Sequence, residues 1–543
     1  MRGAKSATWV AGAIIVAMAA TACGGGGGDK GSDDSAGGGF NPNGKFSVEV
    51  GEPQNGLVPS NTQESNGGIV VDSLFSQLVD YDPQGKIVMS NAKSVETKDN
   101  KTFTVTLKDG WTFHDGTPVT AESYVKAWNW GANSKNNQLN SSWYSDIKGY
   151  EDVHPEKGDP KSQEMSGLKV VDDKTFTIEL VTPIPYFVYK LGYTAFSPLP
   201  ESFFKDPTAA GEKPVGNGPY QFVSWDHKKS IVVKRFDAYK GDNKAKNGGV
   251  TFKNYTTLEA AYEDLKSGNV DVLRQVAPKD LPVYRDDLGD RAVDQPYSAI
   301  QSIVPAFYTK DWKNINPKVL QGLSMAIDRD TITKTVLQGT REPATGFVAK
   351  GVLGYQDNVG GDVFKYDPAK AKELIKAGGG VPGNKMSIQY NADGGHKEWV
   401  EAVCNSITNA TGVKCVGDSK ADFDSDLEAR TAHEVKSWYR SGWVLDYPVN
   451  ANFIRDLYGT TSGGNQSGFS NKELDKMINA ADTAPTLEDS VKQYQAVEKK
   501  MVDLMPAIPL WYYKVNAGYS ENVTGVKYAQ NGDPILTGVQ VKK

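Results

Sequence analysis

Histidine and cysteine are scarce in this 543-residue chain, at five and three residues, and their scarcity removes several chemistries. None of His114, His154, His227, His396 and His433 has a second histidine four residues away; His433-Glu434 begins like a zinc-protease helix and lacks the rest. Cys404 and Cys415, the two cysteines of the body, make a poor metal site by themselves. No nucleophile elbow occurs, since Gly464-Asn465-Gln466-Ser467-Gly468 has the wrong spacing. A phosphate loop of the G-x-x-x-x-G-K-[ST] type is also missing, and Gly216-Asn217-Gly218-Pro219 reads as a tight turn. Asp422, Asp424 and Asp426 alternate with Phe423 and Ser425; three carboxylates could hold a hard cation, but without further ligands in view they read as a solvated edge. Excess positive charge is absent too, for a formal net charge of −6 gives no basic face for nucleic acid. No catalytic constellation, cofactor or metal is expected, and after residue 22 no long apolar run follows.

The first 39 residues have a distinct grammar. Met1 to Lys5 carries two positive charges, and Trp9 to Ala20 is an apolar run of 12 residues. That run is too short to span a bilayer of about 30 Å and reads as a secretory h-region. Cys23 follows, then five glycines and a Gly/Ser/Asp stretch to Gly39 that can bury no core. This arrangement resembles a bacterial lipoprotein, with a signal peptide at 1–22, lipid attached to the Cys23 thiol and a flexible linker at 23–39. Ala20-Thr21-Ala22 also suits an ordinary A-x-A cleavage that would leave a free cysteine. Loss of Arg2 and Lys5 with the signal moves the formal charge from −6 to −8, two positive charges fewer.

The remaining 500 or so residues exceed what one core serves, so two or three lobes are expected. Lys45 to Val50 alternates like a strand, and Ile69 to Val79 reads as a helix. Two hairpins share one pattern, Val95 to Leu107 and Val170 to Leu180, each turning through Asp, Asn or Lys. Between them lies a helix from Thr120, its expected N-cap, to Trp130. Beyond residue 300 the chain becomes more helical, with helices expected at 317–327, 330–337, 368–377, 396–409, 471–480 and 490–504. A helix that folds back onto the strand Val413 to Val416 brings Cys404 and Cys415 within disulfide reach in an oxidising compartment; buried free thiols are the alternative. The fold class is α/β, a mixed body with an inserted small β-rich lobe.

Five segments carry a resemblance. Leu107-Lys108-Asp109-Gly110-Trp111-Thr112-Phe113-His114-Asp115-Gly116 continues to Glu122, followed in order by Pro214 to Tyr220, Ala326-Ile327-Asp328-Arg329, Gly442-Trp443-Val444-Leu445-Asp446-Tyr447-Pro448 and Pro506 to Leu510. Together they resemble the oligopeptide- and dipeptide-binding lipoproteins of ABC importers, the extracellular solute-binding proteins of family 5. The resemblance implies a periplasmic-binding-protein-like fold: lobe I from 40–81, 186–298 and 505–543, lobe II inserted at 82–185, and lobe III at 299–504, hinged around a cleft.

By the same resemblance a short peptide lies extended along Arg440 to Asp446 and pairs with its main chain. Asp446 receives the peptide α-ammonium, Arg440 takes the carboxylate of short peptides, and Trp443 walls a side-chain pocket beside Gly442 and Val444. Tyr297 lies near the lobe crossover and Glu52 lines the opposite side of the peptide. Arg430 sits at a slightly different spacing from the family's and is left out. The implied partners are a short peptide, the permease subunits and, through Cys23, the outer face of the cytoplasmic membrane; the chain is expected to be a monomer. An oligosaccharide or metal chelate in the same fold is the rival ligand, and the 25 tyrosines and 11 tryptophans would suit sugar stacking. A secreted hydrolase is the rival of another class.

Overall fold

The computed structural model describes residues 39–82 and 84–543; Cys23 and the expected signal and linker segments as far as residue 38 lie outside the described residues. One sheet organises the molecule. Its strands are β1 (Lys45–Val50), β2 (Tyr220–Asp226), β3 (Ser230–Arg235), β4 (Gly249–Asn254), β5 (Val272–Leu273), β6 (Ala292–Pro305), β7 (Arg341–Pro343), β8 (Lys385–Asn391), β9 (Lys414–Lys420), β10 (Trp438–Val444) and β11 (Ile508–Tyr519). They follow the order β9-β8-β10-β6-β11-β5-β1-β4-β3-β2, with β7 added to β11. In β1 every residue after Lys45 is buried, as befits a strand covered on both faces. Its polar face is satisfied locally, for Ser47 Oγ donates to Asp271 Oδ2 at 2.9 Å.

β6 and β11 are the two long members and pair with each other in three registers, separated by shifts at Pro296/Ile300 and Gln301/Ser302. Ala292–Pro296 lies against Gly518–Lys514, where β5 also joins β11. The register shifts between Pro296 and Ile300, and from Ala299 onward β6 takes β10 as its second neighbour. A bulge of this kind bends the ladder and changes its twist. The change of neighbours therefore falls inside two continuous strands.

The two hairpins seen in the sequence merge into one four-stranded antiparallel sheet, ordered Ala92–Thr97, Thr102–Leu107, Thr175–Glu179 and Leu168–Asp172. Phe103 faces Ile178 and Val105 faces Phe176 across the central pair. That buried face packs on the helix Ala121–Ala132, where the Trp128 ring meets Phe176 edge-on at 5.6 Å. Thr120 caps this helix in a capping box with Ser123. Helix Lys397–Thr411 ends at Gly412, with φ of +80°, and returns into β9, joining Cys404 to Cys415 in a disulfide with Cα atoms 4.7 Å apart.

Several local expectations need correction. The first helix runs Ser65–Leu74, because the Glu64 carboxylate caps it by accepting from Asn66 N and Gly67 N, while Gly67 and Gly68 weaken the pattern that would have marked its start. Residues 330–337 form a short turn and a π-helical turn, Ile332–Val336. The Asp422 to Asp426 run is a solvated edge only in part: Asp422, which caps the helix Phe423–Thr431, and Asp424 are exposed, whereas Asp426 is fully buried against Arg430 at 3.1 Å. Gly216 and Gly218 have ordinary φ values and are required instead by close approach, since a Cβ on Gly216 would lie 1.9 Å from Leu74 O.

Candidate functional site

Strand β10 has one covered edge and one open edge. Along its whole length it pairs antiparallel with β6, Trp438 to Val444 against Pro305 to Ala299. On the other side the parallel pairing with β8 covers only Trp438 and Tyr439. Among the described residues, no strand covers that second edge from Arg440 to Val444. An uncovered row of N–H and C=O groups is a template for an added strand. The row faces a cavity of about 3320 Å³ whose lining includes Glu52, Tyr297, Arg440, Gly442, Trp443, Val444 and Asp446.

Asp446 follows β10, and the helix Ala451–Tyr458 fixes its position. Asn452 is fully buried in the first turn of that helix. Its Oδ1 accepts from Asp446 N at 3.0 Å and from Trp443 Nε1 at 3.2 Å. Its Nδ2 donates to Asp446 Oδ2 at 2.9 Å and to Asp456 Oδ2 at 3.1 Å. One amide thus sets the rotamers of Trp443 and Asp446 together. Asp446 is half-buried, and among the described residues no cationic nitrogen lies within 4.0 Å of it. Burial pushes its carboxyl up to about 7; the Asn452 hydrogen bond opposes this, Asp456 adds to it and Lys190 pulls back.

Lys190 does not neutralise Asp446, because its ammonium is bound to Asp146 at 2.5 Å. Asp146 also receives Arg455 Nη2 at 2.5 Å, while Arg455 Nε lies 3.1 Å from Asp482 and the hydroxyls of Tyr186 and Tyr494 donate to Asp482. Burial alone would raise the Asp146 carboxyl, but Arg455 and Lys190 hold it well below the usual range. This ion network is complete without a ligand.

A second region of the cavity is basic. Arg440 is 8% exposed and donates Nε and Nη2 to Asn391 Oδ1 at 2.9 and 2.6 Å, with its guanidinium 5.4 Å from the Phe423 ring. Arg341 lies 4.4 Å from the Tyr513 ring and donates to Thr340 O at 2.8 Å. Neither has a carboxylate within 4.0 Å among the described residues. His396 accepts from Trp399 Nε1 at 3.1 Å through Nδ1, and burial followed by the charges of Arg440, Arg341 and Arg430 holds its pKa well below the usual value. An anionic group is what this end can take, bidentately at a guanidinium.

The remaining expected residues occupy different settings. Tyr297 lies on β6 beside the register shift, its ring 5.7 Å from Tyr513. Glu52 borders the cavity, but its carboxylate is engaged by His227 Nδ1 at 2.9 Å, Lys228 N at 2.8 Å and Asn254 Nδ2 at 2.7 Å. Arg430, left aside in the sequence, is tied to Asp426. Sequence reasoning missed Asn452, Arg341 and His396, none of which stands in a recognisable motif; only the position of Asn452 six residues after Asp446 offered any signal. Among the described residues no group of three His, Cys, Asp or Glu side chains is placed to hold a metal ion.

Residues 86–465 match the profile of the bacterial extracellular solute-binding proteins, family 5, middle region. The chain is 27% identical over 493 residues to the oligopeptide-binding protein OppA of Bacillus subtilis, covering 88% of this chain and 89% of that one. Its fold superposes on the murein tripeptide binding protein MppA of Escherichia coli with a TM-score of 0.81 at 23% identity, over 93% of this chain and 99% of that one. It superposes equally, with a TM-score of 0.81 at 22% identity, on Haemophilus influenzae OppA in complex with RPPGFSPFR, over 93% and 100% of the two chains. By its sequence match over most of its length, its two-lobed α/β body and its inserted β-rich lobe, the chain belongs to the bacterial extracellular solute-binding proteins of family 5.

Proposed function

We propose that the protein is a lipid-tethered extracellular receptor that captures short peptides in the cleft and delivers them to an ABC permease, acting as a monomer and doing no chemistry itself. The observation that carries this reading is the open edge of β10 from Arg440 to Val444, which ends at a carboxylate without a counter-charge. A peptide backbone added to that edge is read by main-chain hydrogen bonds, and its α-ammonium supplies the charge that Asp446 lacks. Trp443 and Tyr297 wall side-chain space, and Arg440 takes the terminal carboxylate of a short ligand. The names of the relatives, oligopeptide-binding and murein tripeptide binding, support a peptide over a sugar. Lobe I is assigned to 40–81, 186–298 and 505–543, lobe II to 82–185 and lobe III to 299–504, with the hinge in β6 and β11. Cys23 is the lipid attachment point that holds the body outside the membrane.

The test is a double cycle by calorimetry. Asp446→Asn keeps shape and hydrogen bonding but removes the charge, so affinity for a free peptide falls by about 2–5 kcal/mol, as for a broken buried charge pair. N-acetylation of the peptide weakens binding to the wild type and costs far less in the variant. Additive effects, or no binding of free peptides, would overturn the assignment.

A further inference from the structure

The residues with which the chain enters the body are fastened to the principal sheet. Asn41 N donates to Val541 O at 2.8 Å, and Phe40 forms a β-bridge with Lys542. Arg235 holds the next two residues, donating Nη1 to Pro42 O and Nη2 to Asn43 Oδ1 at 3.0 Å, and Gly248 N donates to Gly44 O at 2.8 Å. Lys246 N in turn donates to Thr537 O at 2.9 Å. Segments 40–45, 234–249 and 536–543 therefore meet at one place.

That place is basic. The three segments carry eight lysines and arginines against two aspartates, in a chain whose formal net charge is −6. Lys45 is level with Gly249 and Gly249 with Lys234, so the two lysines project from the same face, two strand spacings or about 10 Å apart. Lys244, Lys246, Lys542 and Lys543 are exposed as these two are, and among the described residues no carboxylate lies within 4.0 Å of any of the six. Of the two aspartates, Asp237 is taken by Arg235 Nε at 2.6 Å. A separate observation is apolar: Phe40, bridged to Lys542, is 44% exposed. An aromatic ring among unpaired lysines matches a membrane interface, where the ring enters the headgroup level and the ammonium groups meet phosphates.

Resting on the Cys23 tether proposed above, we propose that this face of the body docks on the anionic phospholipid headgroups of the membrane that holds the tether. Phe40 follows Cys23 by 17 residues, so even a fully extended chain keeps it within about 60 Å of the lipid. The basic face surrounds that fixed end and is the part of the body closest to the lipid along the chain. Attraction between its lysines and a charged surface acts within a Debye length, about 8 Å at physiological salt. The tether brings the face into range, and the lysines then orient it. Being screened by salt, such docking turns the tethered body toward one orientation and does not replace the lipid.

Co-sedimentation with vesicles tests this, using the chain from residue 23 with Cys23→Ser so that no attached lipid contributes. Vesicles of phosphatidylcholine alone are compared with vesicles in which about a third of the lipid is phosphatidylglycerol, which gives the surface a negative potential. The chain is expected to bind the second kind and not the first, and to come off when NaCl is raised to about 0.5 M. Each lysine near such a surface contributes about fivefold, so Lys45→Gln, Lys234→Gln, Lys246→Gln and Lys542→Gln together are expected to weaken binding by at least about a hundredfold. A control with the same change in net charge, Lys157→Gln, Lys161→Gln, Lys313→Gln and Lys318→Gln, alters exposed lysines outside the three segments and is expected to bind as the parent does. Unchanged thermal unfolding shows that both variants are folded. No preference of the parent for phosphatidylglycerol, or an equal loss in the two variants, overturns the docking inference and leaves the peptide receptor and its tether standing. If mass mapping of the wild type finds no lipid on Cys23, the tether fails and the inference falls with it.

Discussion

Acidification is the perturbation that probes Asp446 without altering the chain. Its carboxyl is pushed up to about 7, because burial and the Asp456 charge outweigh the Asn452 hydrogen bond and Lys190. A raised value means that the unoccupied protein already holds a proton on Asp446 below that pH. An arriving ammonium pairs only with the ionised form, so binding below pH 7 must release the proton. The apparent affinity for Ala-Ala-Ala, which carries no charged side chain, therefore falls by about tenfold at pH 6 and about a hundredfold at pH 5 relative to its plateau. Above pH 8 it falls again as the peptide amino group, with a pKa of roughly 7.7–8.0, loses its proton. Calorimetry at pH 5, 6, 7 and 8 in two buffers of different ionisation enthalpy measures the affinity and counts the proton, which approaches one per peptide at pH 5. Asp446→Asn should keep the alkaline limb and lose the acid limb. An affinity constant within about twofold from pH 8 to pH 5, or an acid limb that persists in Asp446→Asn, refutes the reasoning.

Glu498 offers a stability test away from the cleft. It is fully buried on helix Leu487–Leu504, where Oε1 accepts from Phe347 N at 2.7 Å and Val348 N at 3.1 Å, Oε2 has no partner, and burial pushes the carboxyl up to about 7 from 4.5. The folded state keeps this proton where the unfolded state has lost it, so stability drains away as pH rises from about 4.5 to 7, by about 3 kcal/mol in all. Glu498→Gln retains an acceptor for both N–H groups and has no charge to bury; denaturant unfolding at pH 5 and pH 8 should show a smaller fall in stability than in the wild type, and an identical fall would refute the account. For the tether, Cys23→Ser should release the protein into the medium or leave uncleaved precursor. Unchanged membrane retention of a processed, unlipidated variant counts against it.

Much of the fold was legible because its signals are local. Alternation in Thr102 to Leu107 and Thr175 to Leu180 marked strands, and Thr120 marked a helix start. What escaped depends on distant partners. Nothing in Ala292 to Pro305 says that its two ends serve different neighbours, because the shift in pairing is decided by Gly518 and Trp511, more than 200 residues away. Gly216 and Gly218 looked like turn residues, and only the proximity of Leu74 reveals their reason. At the site, Gly442 to Asp446 stood out by its resemblance. Asn452 and Arg341 are ordinary residue types whose setting comes from what surrounds them.

The strand at the far end of the chain has a consequence for how the molecule is made. β11, Ile508–Tyr519, is the partner of β5, β6 and β7 at once, so the middle of the principal sheet has no closed ladder until that strand is available. Synthesis proceeds from the amino terminus, and β5 and β6 must wait with bare edges while some 200 further residues emerge. Contacts so remote in sequence are slow to form, and exposed edges in the meantime invite pairing with other chains. Late arrival of β11 keeps the middle of the sheet open until that strand has been made. It also makes Ile508–Tyr519 the strand that completes the sheet: a chain cut short before it leaves β5, β6 and β7 without their shared partner.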